Sequence, residues 1–131
     1  MATQKKTEYT IECSHKPGEL ARILESLSGA GVNVLAFCGY QTGEDKANIM
    51  LVADDDGKAE STLKSAGITF KTNAVVAVTT SSGAGEGAKL ARKLADAGVN
   101  LEYAYATTSG SGESTAVFAG KDVEKVLQVL G

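Results

Sequence analysis

Apolar positions along the chain switch repeatedly between a period of two and a period near 3.6. Tyr9, Ile11 and Cys13 alternate with Thr10 and Glu12, the pattern of a half-buried strand. Ser14-His15-Lys16-Pro17-Gly18 interrupts it, with Pro17 suited to a first helical position because its missing N–H would lack a partner there anyway. Leu20, Ile23, Leu24 and Leu27 then form one stripe of an amphipathic helix, closed by Gly31 as a left-handed cap with Val32 folding back on the last turn. Val32–Tyr40 and Asn48–Ala53 read as a hairpin around the polar turn Gln41–Lys46. Asp54-Asp55-Asp56 suits the start of a second helix, whose apolar face is Ala59, Leu63 and Ala66 and whose end is Gly67. A short strand, Ile68–Lys71, follows.

The same order then recurs. Lys16–Asn33 and Gly83–Asn100 coincide without a gap at an offset of 67 residues, with Gly18/Gly85, Glu19/Glu86 and the run Ala30–Asn33/Ala97–Asn100 in register. The second copy predicts strands Val75–Thr79, Val99–Thr107 and Ser114–Ala119, a hairpin at Ser109–Glu113, and helices Gly87–Ala97 and from Asp122 onward. Val123, Val126, Leu127 and Leu130 stripe the last helix. No fourth strand is visible in this copy, so its sheet is expected to have an open edge, to borrow a strand or to be covered by a partner. The expected fold class is α+β, two ferredoxin-like βαββαβ repeats at 1–73 and 74–131. Modules of this size bury little core alone, so close packing of the copies or a homodimer is expected.

Composition narrows the function classes. The 131 residues carry 13 Lys and Arg against 16 Asp and Glu, a net charge of −3, which disfavours nucleic acid or an anionic membrane as partner. The two cysteines, Cys13 and Cys38, have no disulfide or metal spacing and sit at strand positions, where they read as small buried residues. The N-terminal stretch is polar, without the apolar core of a signal peptide, and no run suits a membrane span, so a cytoplasmic protein is expected.

Taken together, the strand, K-P-G-E-L-A-R-I-L, the A-G-V-N turn into Val34, T-x-E-D at Thr42–Asp45 and the acidic helix start at Asp54-Asp55 resemble the ACT domain, a module by which enzymes of amino-acid biosynthesis sense amino acids. The whole chain, apart from a few N-terminal residues, resembles stand-alone tandem ACT proteins without a catalytic domain. The resemblance implies a ligand between two ACT units, held by the loop after the first strand and by the start of the neighbour's second strand. In the first copy those positions are His15, Lys16, Pro17, Gly18, Glu19 and Leu20, with Asn33 and Val34 after the cap. In the second they are Ala84, Gly85 and Glu86, with Asn100 and Leu101. The loop chemistry agrees: a helix start offers N–H groups to a carboxylate, and an Asn amide serves both ends of a zwitterion. The second copy departs from the pattern, with Ser82-Gly83-Ala84-Gly85 and no proline. The Lys16–Glu19 loop is therefore expected to form the better site, completed by the Asn100 edge of the other copy.

Sharper chemistries find less support. His15 is the single histidine, so a metal site lacks its second imidazole, and a solvated turn residue or a ligand contact are the open readings. Gly83–Gly87 followed by Lys89 misses the phosphate-loop pattern, since Ala88 separates the last Gly from Lys89 and Leu90 follows where a hydroxyl residue belongs. Tyr103 and Tyr105 share a strand face with Leu101 and read as packing. Asp54–Asp56 lacks the further ligands of a calcium loop. Cys13 and His15 lack an activated-nucleophile setting. No catalytic residue, metal or cofactor is expected. The function expected is a regulatory protein binding an amino acid between its repeats; the alternative is a dissociable subunit docking on a metabolic enzyme with no ligand of its own.

Overall fold

The computed structural model describes residues 2–108 and 110–131, so Met1 of the first repeat and Ser109 of the expected second hairpin lie outside the described residues. The elements run β1 (Ala2–Ser14), α1 (Glu19–Gly29), β2 (Val34–Gly43), β3 (Lys46–Ala53), α2 (Asp56–Ser65), β4 (Lys71–Ser81), α3 (Glu86–Asp96), β5 (Tyr103–Thr108), β6 (Glu113–Ala119) and α4 (Val123–Leu130). They form two compact units: Thr7–Asn73, and Ala74–Gly131 together with the residues up to Lys6.

In the unit Thr7–Asn73, β3 pairs antiparallel with both β1 and β2, Tyr9 facing Leu51 and Phe37 facing Leu51 from the other side. The alternation along β1 sends Tyr9 and Ile11 into a core with Ile23, Leu27, Ile49, Leu51, Ala59, Leu63 and Ile68, all nearly or fully buried. Side chains of that size each contribute about 1.5–3 kcal/mol when taken out of water, which is why α1 and α2 lie where they do. Three expected core positions are not in it: Leu20 is 38% exposed, Leu24 is half-buried, and Ala66 lies at the exposed end of α2.

Pro17 does not open α1. The helix begins at Glu19, and Gly18, at φ 95°, caps it in the left-handed region, which a proline φ cannot reach. At the other end the expected glycine cap is present. Gly31 N–H donates to Ser28 and Val32 N–H to Leu27, at 3.0 Å each, the paired bonds that close a helix on a left-handed residue. Helix α2 is capped by Asp55, whose side chain accepts from the Lys58 N–H at 3.0 Å.

The second unit repeats this order of elements at the 67-residue offset. Its β6 lies between β4 and β5, antiparallel to both. Val76, Val78, Leu90, Leu94, Phe118, Val126 and Leu130 form its core. Asp122 caps α4 by accepting from Lys125 N–H at 3.1 Å, 67 positions beyond the Asp55–Lys58 pair. Two expectations need correcting. Ile68–Lys71 and Val75–Thr79 are not separate strands, because Ile68–Phe70 is irregular and one continuous strand, β4, starts at Lys71. Strand β5 starts only at Tyr103, so Leu101 is not on a strand face with the two tyrosines but packs beside the core. The missing fourth strand is supplied from the far end of the chain. The second neighbour of β4 is β1, and the residues up to Lys6 belong to this unit. Thr3 Oγ1 donates to Leu130 O at 3.2 Å, and Lys5 Nζ pairs with Glu124 at 2.5 Å. Of the possibilities left open, the borrowed strand is the one the structure takes.

Candidate functional site

The loop from Ser14 to Gly18 is tied down by its backbone. His15 N–H donates to Asp45 O in the β2–β3 turn at 2.9 Å, and Lys16 N–H to Ser14 O at 3.0 Å. Register across the hairpin places Cys13 opposite Ala47 and Gln41 opposite Ala47 from the other side, so the ends of three strands meet beneath the start of α1. Between loop, helix start and hairpin lies a cleft of about 300 Å³ lined by Cys13 to Lys16, Glu19, Leu20, Gly39 to Gln41 and Ala47 to Ile49. A volume of roughly 300–1,000 Å³ is usual for small-molecule sites.

Four of the expected site residues, His15, Lys16, Glu19 and Leu20, therefore share one cleft; Pro17 and Gly18 shape the loop without lining it. The exposure of Leu20 belongs to this cleft. Helix α1 has no side-chain N-cap, so its first N–H groups face the loop side unclaimed by a side chain. Glu19 is the acidic residue of that first turn and accepts from Arg22 Nη2 at 3.1 Å. Cys13 is a poor nucleophile here: burial raises its thiol pKa, nearby Glu19 raises it further, and Arg22 opposes both.

Asn33 and Val34 are elsewhere in the same unit. They follow the C-terminal end of α1, whose 11 residues span about 16 Å. Asn33 N–H donates to Asp54 Oδ1 at 3.1 Å and its carbonyl accepts from Asp54 N–H at 2.9 Å, while Val34 packs on the core. Asp54 to Asp56 are used locally: Asp54 holds Asn33, Asp55 caps α2, and Asp56 O accepts from the buried Tyr9 hydroxyl at 2.9 Å. Burial first, then the carboxylates of Asp56, Glu60 and Asp55, push the Tyr9 pKa up to about 12.

The second unit has the corresponding cleft, of about 200 Å³, lined by Thr80, Ser82, Gly83, Glu86, Gly87, Leu90, Ala106, Thr108, Ser114 and Ala116. All but Leu90 stand 67 positions after a residue that lines the first cleft. Of the expected residues only Glu86 lines it; Ala84 and Gly85 form the loop, and Asn100 and Leu101 line a separate cavity of about 340 Å³ with Gly120–Asp122. Sequence reading missed the hairpin wall, Gly39–Gln41 and Ala47–Ile49. The pairing of Gln41 with Ala47 and Ala47 with Cys13 was its signal, available only once register is known. Among the described residues there is no group of three or more His, Cys, Asp or Glu able to hold a metal ion, and no helix long and apolar enough to cross a membrane.

The profile of a family described as an ACT domain pair matches residues 4–130. No curated protein matches the chain in sequence. Among solved structures, protein BT0572 from Bacteroides thetaiotaomicron is similar over 98% of this chain and 88% of its own, with a TM-score of 0.81 and 23% identity. The ligand-free regulatory subunit of aspartate kinase from Thermus thermophilus is similar over 98% and 93%, with a TM-score of 0.68 and 18% identity. A C-terminal regulatory domain of aspartate kinase from Porphyromonas gingivalis covers 98% and 93%, at 0.56 and 15%. At these identities the likeness is one of fold.

Proposed function

The chain belongs to the ACT domain pair family, and from that premise we propose that it is a non-catalytic regulatory protein that binds an amino acid in the cleft of its first repeat. The observation that carries this reading is the convergence of His15, Lys16, Glu19 and Leu20 on one cleft at a helix start without a side-chain cap. An α-carboxylate suits the free N–H groups and the Lys16 ammonium, because both are positive and the helix dipole adds to them. Glu19 and the amide of Gln41 offer acceptors to an α-ammonium. Leu20, Ile49 and the protonated Cys13 form an apolar wall for a side chain. Binding would act by favouring one arrangement of the protein over another, and so change what it contacts.

A thermal-shift screen against the twenty amino acids tests this, since a ligand that binds only the folded state must raise the melting temperature. A rise confined to one or a few amino acids, lost in Lys16→Gly or Glu19→Gln, supports the cleft. A flat screen overturns it.

One feature favours a second reading, a subunit that docks on an enzyme, alone or as a homodimer. Phe37 and Tyr40, 44% and 46% exposed, lie on β2, whose single sheet neighbour is β3. Large apolar side chains on a free strand edge suit another polypeptide. Pull-down of an enzyme by the wild type and not by Phe37→Ser, with a flat ligand screen, would decide for it.

A further inference from the structure

The first repeat has another cavity, on the other face of its sheet. Side chains alternate across a strand, so Thr10 and Glu12 face away from the core that Tyr9 and Ile11 enter, and Asn48, paired with Glu12, faces the same way. The chain returns past these strands as Thr69-Phe70-Lys71. These six residues enclose about 400 Å³. The wall is fixed from behind: Ile68 is buried after the α2 cap, and the Phe70 ring meets Tyr9 edge-on, centroids 5.3 Å apart at 84°.

The charges around the cavity are of opposite sign and are not joined. None of the ion pairs or side-chain hydrogen bonds among the described residues involves Glu12 or Lys71. Asn48 Nδ2 reaches Tyr40 Oη only at 3.5 Å, which leaves its carbonyl oxygen free to accept. We propose that this cavity is a second ligand site, for a small zwitterion whose ammonium is met by Glu12 and Asn48 and whose carboxylate is met by Lys71 and the threonine hydroxyls. The Phe70 ring takes an apolar side chain. The site is particular to the first repeat. The positions matching Glu12 and Asn48 are Thr79 and Thr115, whose hydroxyls lie 3.3 Å apart and satisfy each other, and Thr10 is matched by Ala77. It shares Asn48 with the loop cleft and is otherwise lined by different residues.

Amide-resolved NMR titration of the full chain with each of the twenty amino acids separates the two sites. Zwitterion binding here shifts the amides of Thr10, Glu12 and Thr69–Lys71, and the N-acetyl and carboxamide derivatives of the same amino acid do so at least tenfold more weakly. Glu12→Gln and Lys71→Met each reduce affinity at these amides about tenfold or more, with an unchanged melting temperature because both side chains are solvent-facing. Shifts confined to His15–Leu20 overturn this site and leave the loop cleft standing, whereas shifts confined to Thr10, Glu12 and Thr69–Lys71 do the reverse. Unchanged affinity in both variants, or shifts at these amides that follow protein concentration instead of ligand, also overturn it.

Discussion

The loop before α1 and the loop before α3 place a left-handed glycine at the same step, Gly18 at φ 95° and Gly85 at φ 85°. Each loop holds to its hairpin through an equivalent backbone bond, His15 N–H to Asp45 O at 2.9 Å and Ser82 N–H to Gly112 O at 2.6 Å. Each helix ends on the equivalent cap bond, Val32 N–H to Leu27 O and Val99 N–H to Leu94 O. The side chains diverge. His15, Lys16, Leu20 and Gln41 in the first cleft become Ser82, Gly83, Gly87 and Thr108 in the second, and the Ser82 and Thr108 hydroxyls lie 2.9 Å apart across it. The second cleft thus has glycine in place of Lys16 and of Leu20, and part of its polar lining is satisfied internally. Backbone geometry is set by glycine and by the hairpin bond, and neither depends on Pro17. Ligand chemistry is set by the side chains, and the first cleft alone of the two carries this set.

If the repeats are energetic equals, matched core truncations cost alike. Leu27 and Leu94 stand 67 positions apart, 0% and 2% exposed, each the residue on which a cap closes. Leu27→Ala and Leu94→Ala are each expected to cost about 2–5 kcal/mol in denaturant unfolding. A difference larger than that spread would show that one repeat carries more of the stability than its packing suggests.

Alkaline pH distinguishes the repeats, because Tyr9 is matched by Val76. The folded-state pKa of Tyr9, about 12, lies above its ordinary value of 10.0, so its contribution is complete below pH 10 and is lost as pH rises toward 12. Wild type is expected to lose melting temperature more steeply over that window than Tyr9→Phe. Parallel curves would mean that the tyrosine keeps its ordinary ionisation, and that burial and Asp56 do not hold its proton.

Much of this architecture is written locally. The helix stripe with Ile23 and Leu27, the glycine caps and the Asp55 and Asp122 starts each depend on residues within a turn or two, and the 67-residue offset doubles each signal. Residues 2–6 are legible to no local rule, because Ala-Thr-Gln-Lys-Lys has no alternation; they belong to β1, whose sheet neighbour β4 is remote in sequence. The clefts divide in the same way. The loop half, His15 to Leu20, follows from the helix start, while Tyr40, Gln41 and Asn48 depend on register. Leu20 misled for a related reason: its spacing suits the core, but it lies in the first turn, where the stripe passes over the cleft instead of over the sheet.

The smallest expected effect bears most directly on the shared backbone. Ala84 matches Pro17, and a proline there removes no hydrogen bond found among the described residues, since the loop bonds come from Ser82 and Glu86 N–H groups. If the second loop follows the first through this step, as the equivalent glycine and hairpin bond suggest, Ala84→Pro meets a compatible φ. It then restricts only the unfolded chain and stabilises by about 0.4–1 kcal/mol. Unfolding midpoints of Ala84→Pro and wild type measure this. A loss of stability would mean that the two loops diverge between Ser82 and Gly85, and that proline in the first loop selects a backbone the second does not adopt. A gain, with no new ligand bound by the variant, would separate the two requirements of such a site, since the second cleft would then have the ordered loop and still lack Lys16 and Leu20.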